Sequence, residues 1–161
     1  MHIEIIERTE TRIVGLKVET LLRDTKEQHI IPKLQQRFNE VVKEVPGAVN
    51  LPTTYGVFID PQDYNPDTDL FTWIAGVECE FENELIEDMV SYVIPAGTYA
   101  VFHYEGNIDN AGSAYDQLYN WINESKYKQK GSYGFELYAT IHSSLERRTS
   151  NFILHFPIEM K

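Results

Sequence analysis

Thr98-Tyr99-Ala100-Val101-Phe102-His103-Tyr104-Glu105 alternates as a strand, Gly106-Asn107 breaks it, and Ala111 to Glu124 follows as a helix. Ala114, Tyr115, Leu118, Trp121 and Ile122 lie on one stripe of that helix. Downstream come two short strands, Gly134 to Ala139 and Asn151 to Ile158, with the polar loop Ser143 to Thr149 between them. The unit therefore reads strand, helix, strand, strand. Upstream the same order occurs once more. Thr11 to Glu19 is rich in β-branched residues, and Ile30, Leu34, Phe38, Val41 and Val42 then recur at helical spacing within Thr25 to Glu44. Pro32 fits only the first turns of that helix, so its regular part is expected to begin there, and Pro46-Gly47 ends it. Thr54 to Ile59 and Phe71 to Phe81 complete the copy as strands. Each copy has a leader strand, Ile3 to Arg8 and Met89 to Ile94, the second followed by the turn Pro95-Ala96-Gly97.

The expected fold is α+β, with two pseudo-symmetric βαββ halves of antiparallel sheet at about residues 1–82 and 86–161. No linker divides them, so residues 1–161 are expected to form one folded unit. Helices covering one face of the sheets would leave the other face to meet across the halves as a central cleft.

Composition narrows the function. Hydrophobic residues at 42% and charged residues at 24% describe an ordinary globular chain rather than a disordered one. The net charge of -11, without a basic stripe, argues against direct nucleic-acid binding, which needs Lys and Arg to displace counterions. The lone Cys79 excludes an internal disulfide and reads as a strand residue. His2, His29, His103, His142 and His155 have no metal-ligand spacing, and no glycine-rich phosphate loop or nucleophile elbow occurs. No cofactor or metal is expected. The segment from Met1 to Glu7 has neither an apolar core nor a cleavage pattern, and no stretch is long enough to span a bilayer, so the cytoplasm is the expected location.

Alternation in Gly134-Phe135-Glu136-Leu137-Tyr138 places Glu136 and Tyr138 on one face and Phe135 and Leu137 on the other. The apolar pair is expected to face the helix, which turns Glu136 and Tyr138 to the opposite side. Tyr55-Gly56-Val57-Phe58 is the positional counterpart, so Gly56 matches Glu136 and Phe58 matches Tyr138. Trp73 and Phe71 in the first half, and Phe156, Leu154, Tyr104 and Phe102 in the second, are the further aromatic and apolar candidates. A carboxylate ringed by aromatics suits a lipophilic cation, and burial would raise its pKa and make it a proton donor. A glutamate exposed on a half-solvated sheet satisfies the same pattern. The stripe Tyr115, Leu118, Tyr119, Ile122 reads as core rather than as binding surface.

The run Val93-Ile94-Pro95-Ala96-Gly97-Thr98-Tyr99-Ala100-Val101-Phe102-His103-Tyr104-Glu105-Gly106 resembles the "IPAGxYAVFxHxG" segment of GyrI-like small-molecule-binding domains. These are also the effector-binding domains of AraC- and MerR-type regulators. Ala114 to Trp121 is similar to the family's "AYxxLYxWL" helix, Phe135-Glu136-Leu137-Tyr138 to its "FExY" strand, and Phe156-Pro157-Ile158 to its terminal "xxPI". The resemblance implies two SH2-like βαββ units around a ligand cleft, with the "FExY" glutamate in that cleft. For this chain it implies that Glu136, with Tyr138 and Trp73, contacts a small lipophilic or cationic compound; Phe58, Tyr104 and Phe156, placed by the strand pattern, complete the expected ligand site. Strand structure beginning at Ile3 implies a stand-alone member without a DNA-binding domain. Transcriptional sensing or xenobiotic sequestration is the implied role. The family also implies an alternative, a hydrolase of electrophilic compounds using Glu136 and Tyr138, and candidate protein partners in a regulator or DNA gyrase. The family's loop after "FExY" is acidic or contains proline, whereas Ala139-Thr140-Ile141-His142 stands here.

Overall fold

The computed structural model describes residues 2–80, 88–139 and 148–161. Strands β1 (Ile3–Arg8) and β2 (Thr11–Thr20) lead into helices α1 (Leu22–Gln28) and α2 (Ile30–Val41), then β3 (Thr54–Ile59) and β4 (Phe71–Glu78). Strands β5 (Met89–Ile94) and β6 (Gly97–Asn107) lead into α3 (Gly112–Glu124), followed by β7 (Tyr127–Gln129), β8 (Tyr133–Tyr138) and β9 (Thr149–Met160).

The helix expected as one piece from Thr25 to Glu44 is broken at His29, which takes a left-handed backbone and both ends α1 and opens α2. Pro32 explains the break. It has no N–H to continue the ladder from α1, so it is tolerated only in the first turn of a new helix. The Thr25 hydroxyl accepts from the Ile31 N–H at 2.9 Å, occupying one donor that a helix start leaves over. At the C-terminal end Gly47 adopts φ 75, as a chain reversal requires. The short β7 has no counterpart in the sequence reading. Its three residues pair with the end of β9 and are too few to show alternation.

The strands form one antiparallel sheet in the order β1-β6-β9-β8-β3-β4-β2-β5, with β7 beside β9. This order is symmetric about the β8–β3 pair, with each strand matching its pseudo-equivalent. The β3–β8 register sets Gly56 opposite Glu136, the two positions that the sequence treats as equivalent. The pseudo-twofold axis therefore passes between them. The leader strands are exchanged: β1 pairs with β6 of the second half and β5 with β2 of the first.

The exchange forces the sheet to curl. β5 and β6 are six strand spacings apart along the path, about 29 Å in a flat sheet. Only Pro95 and Ala96 join them, a link that reaches about 11 Å. The two ends of the sheet must come together, which encloses one face. Ile13, Tyr55, Val57, Ile74, Ile94, Tyr99, Val101 and Phe135 form a core there with no helix residue among them. The other face carries the helices. Phe38 and Val42 pack on Val14, Leu16, Ala75 and Val77, while Ala114, Leu118 and Ile122 of α3 pack with Phe58, Trp73, Phe152, Leu154 and Phe156. Among the described residues no helix is long and apolar enough to cross a membrane.

Curling overturns one expectation. Phe135 and Leu137 do not face the helices but the enclosed side of the sheet. Glu136 and Tyr138 consequently face α2 and α3, and the cleft lies on the helix side rather than on the opposite one. A two-layer sheet has one apolar face; this sheet has two, and Phe135 and Leu137 help fill the second.

Candidate functional site

Glu136 stands at the middle of β8, only 7% exposed. One carboxylate oxygen accepts from the Tyr115 hydroxyl, which reaches down from α3, and the other accepts from the Tyr138 hydroxyl two residues along β8. Burial pushes the Glu136 carboxyl up to about 7, against the two hydroxyl bonds, which pull it down. Burial and the neighbouring carboxylate hold both phenols well above their usual range, so both remain donors at neutral pH. Tyr115 was read from the sequence as core, and it does pack there, with ring centroids 5.6 Å from Phe58 and 5.8 Å from Phe156. Its hydroxyl nevertheless belongs to the site. The helical stripe alone does not reveal this, because an inward-facing tyrosine serves packing and hydrogen bonding at once.

A cavity of about 120 Å³ adjoins Glu136 and Tyr138. Its walls come from both halves: Ile31, Pro32 and Gln35 of α2, Ile108 and Ala111 before α3, and Ser150 and Phe152 of β9. At the helix starts Asp109 is 3.7 Å from the His29 ring and 2.8 Å from the Arg148 guanidinium. That link ties the α1–α2 junction to the entry of α3.

The other residues singled out from the sequence lie around this point at different depths. Trp73 is 3% exposed, and a Cβ on Gly56 would stand 2.3 Å from its indole ring. The indole thus lies over Gly56, directly across the seam from Glu136. Phe58 packs edge-on against Phe156 at 5.7 Å, and both belong to the apolar cluster that supports Tyr115. Tyr104 stacks obliquely on Phe152 at 5.4 Å and donates to the Asn107 carbonyl at 2.7 Å. Of the six residues, Glu136 and Tyr138 line the cavity, while Trp73, Phe58, Tyr104 and Phe156 form the layer behind it. Phe81, Thr140, Ile141, His142 and most of the loop from Ser143 lie outside the described residues.

Gln35 escaped the sequence reading. It sits on the buried stripe of α2, four residues after Ile31 and three before Phe38. A polar residue at that position of an apolar stripe was the available signal. Among the described residues no group of three or more His, Cys, Asp or Glu side chains is arranged to hold a metal ion.

Known proteins share this fold. The chain is 28% identical over 140 residues to the transcriptional regulator BrlR of Pseudomonas aeruginosa, which covers 86% of the chain and 48% of that protein. It thus spans about half the length of that regulator. The structure of SAV2435 bound to tetraphenylphosphonium superposes with a TM-score of 0.70 at 17% identity, over 99% of this chain and 94% of that one. The C-terminal domain of EcmrR gives 0.70 at 20% identity, over 99% and 98%. An integron cassette protein of Vibrio cholerae gives 0.69 at 17% identity, over 98% and 95%. At these identities the structures establish the α+β fold. Residues 1–155 match the GyrI-like small molecule binding domain, and the chain belongs to that family.

Proposed function

We propose that this protein binds small hydrophobic compounds, cations above all, in the cleft between α2 and α3, for sensing or sequestration in the cytoplasm. The observation that carries this reading is a buried glutamate beside a cavity with apolar surface, with no Lys or Arg among the described residues that line it. A carboxylate held out of water without a cation is costly, and a positively charged guest removes that cost. Trp73, Phe58, Tyr104 and Phe156 supply apolar and ring surface behind the first layer. The tetraphenylphosphonium in the similar SAV2435 structure is a guest of the corresponding chemistry.

The test compares aromatic cations with neutral aromatics of matched size by calorimetry, on wild type and Glu136→Gln. Cations are expected to lose about a hundredfold in affinity and neutral compounds less than twofold, as for removal of one partner of a buried charge pair. Equal losses in both classes would refute charge selection.

One feature favours a second reading. A carboxyl titrating near 7 beside two tyrosine hydroxyls is placed to donate a proton, which supports hydrolysis of electrophilic compounds by Glu136 with Tyr138. Mass spectrometry of electrophiles incubated with substoichiometric protein distinguishes the two. Complete recovery of unchanged compound leaves binding alone.

A further inference from the structure

Gln35 lines the same cavity as Glu136 and comes from the other half of the molecule. Its side chain is buried, 9% exposed, and neither its amide nitrogen nor its amide oxygen has a hydrogen-bond partner among the described residues. Buried polar groups in folded proteins are almost always paired, and an amide with both ends unpaired is among the rarer exceptions. The position does not need an amide for packing. It lies on the apolar stripe between Ile31 and Phe38, where Leu or Met would fill similar space without the desolvation cost. Glu136 differs from it in this respect, since both its oxygens are engaged by tyrosine hydroxyls.

We propose that Gln35 is a specificity-determining residue that reads a hydrogen-bonding group on the guest, building on the cation-binding reading given above. Only a group with both a donor and an acceptor satisfies both ends of the Gln35 amide, through a paired amide–amide contact. The preferred guests are therefore compact cations that carry a primary carboxamide or urea, rather than cations wholly jacketed in hydrocarbon. Cavity size agrees, since about 120 Å³ suits a single substituted ring. Ile31, Pro32, Ile108, Ala111 and Phe152 offer apolar surface; Glu136, Tyr138 and Ser150 of the second half face Gln35 of the first across the cavity.

Two cations of equal permanent charge test this, 1-methylnicotinamide and 1,3-dimethylpyridinium, measured by calorimetry. Wild type is expected to bind the carboxamide about tenfold more tightly, the change expected from leaving one buried hydrogen-bonding group unpaired. In Gln35→Leu the preference should fall to within about twofold, while the thermal midpoint is maintained or rises because an unpaired amide has been removed. Gln35→Met serves the same comparison if the leucine variant folds poorly. Equal binding of the two cations by wild type, or a preference that survives in both variants, overturns the proposal. Failure of the underlying cation reading has a different signature. Glu136→Gln would then leave both cations unaffected, while neutral nicotinamide at pH 8 would still be preferred over 3-methylpyridine in a Gln35-dependent way. Absence of binding by either carboxamide, with 1,3-dimethylpyridinium still bound in a Glu136-dependent way, would overturn the Gln35 proposal and leave the cation reading standing.

Discussion

The two strands at the seam, β3 and β8, have the same place in their halves and opposite roles. At its centre β8 carries Glu136, with hydroxyls on both oxygens. At the matching point β3 carries Gly56, and the space is taken by the indole of Trp73. One strand contributes a charge and the other contributes room. Two glutamates meeting across the pseudo-twofold axis would repel in a buried setting, and two glycines would leave no electrostatic anchor. Symmetry of the scaffold with asymmetry at its axis concentrates one charge at the point both halves reach.

The comparison can be broken most strongly through the charge. Glu136 has a folded-state pKa of about 7, above the ordinary value of 4.5, so the folded protein binds this proton more tightly than the unfolded chain does. Stability should therefore fall as pH rises from about 4.5 to 7, by up to about 3 kcal/mol, and level off above. Urea melts of wild type and Glu136→Gln across this window isolate the effect. Asp60, raised to about 6 by burial, acts in the same direction in both proteins. His155, lowered to about 4, acts oppositely and loses stability as pH falls from about 6.5, again in both. The difference curve belongs to Glu136.

Next in size is the room on β3. Gly56→Ala drives a methyl into the buried Trp73 ring and should cost about 2–3 kcal/mol in urea melts. Trp73→Leu in the same chain should make the alanine nearly harmless, and additive losses would show that the indole is not what Gly56 accommodates. A smaller effect sharpens the account of β8. Tyr115→Phe and Tyr138→Phe each remove a hydroxyl that lowers the Glu136 pKa, so each should raise that pKa by about 1 unit, read from carboxyl carbon chemical shifts. The least effect is expected from Tyr104→Phe, about 0.5 kcal/mol in stability. Its hydroxyl bonds to an exposed turn carbonyl away from the carboxylate.

What the sequence made readable follows a physical division. The order of elements was legible because alternation and helical periodicity are local, and Ile3–Arg8, Thr54–Ile59 and Met89–Ile94 were delimited as the structure has them. The equivalence of Gly56 and Glu136 was legible too, although their direct pairing is a property of register. Which face Glu136 takes was not. Alternation separates Phe135 from Glu136 but cannot say which face meets the helices, and here the answer depends on strand exchange between segments 89 to 99 residues apart in β1 and β6. The tyrosine partners divide the same way. Tyr138 follows from position in the strand, whereas the Tyr115 contact needs α3 docked over β8.

The exchanged leaders have a mechanical consequence. Because β1 is stitched into the second half and β5 into the first, the halves cannot swing apart as jaws without tearing two strand pairings. The sheet behaves as a fixed floor. Above that floor the α1–α2 junction and the entry of α3 are joined at the surface through the contacts of Asp109 with His29 and Arg148. Those contacts hold far less firmly than a strand pairing.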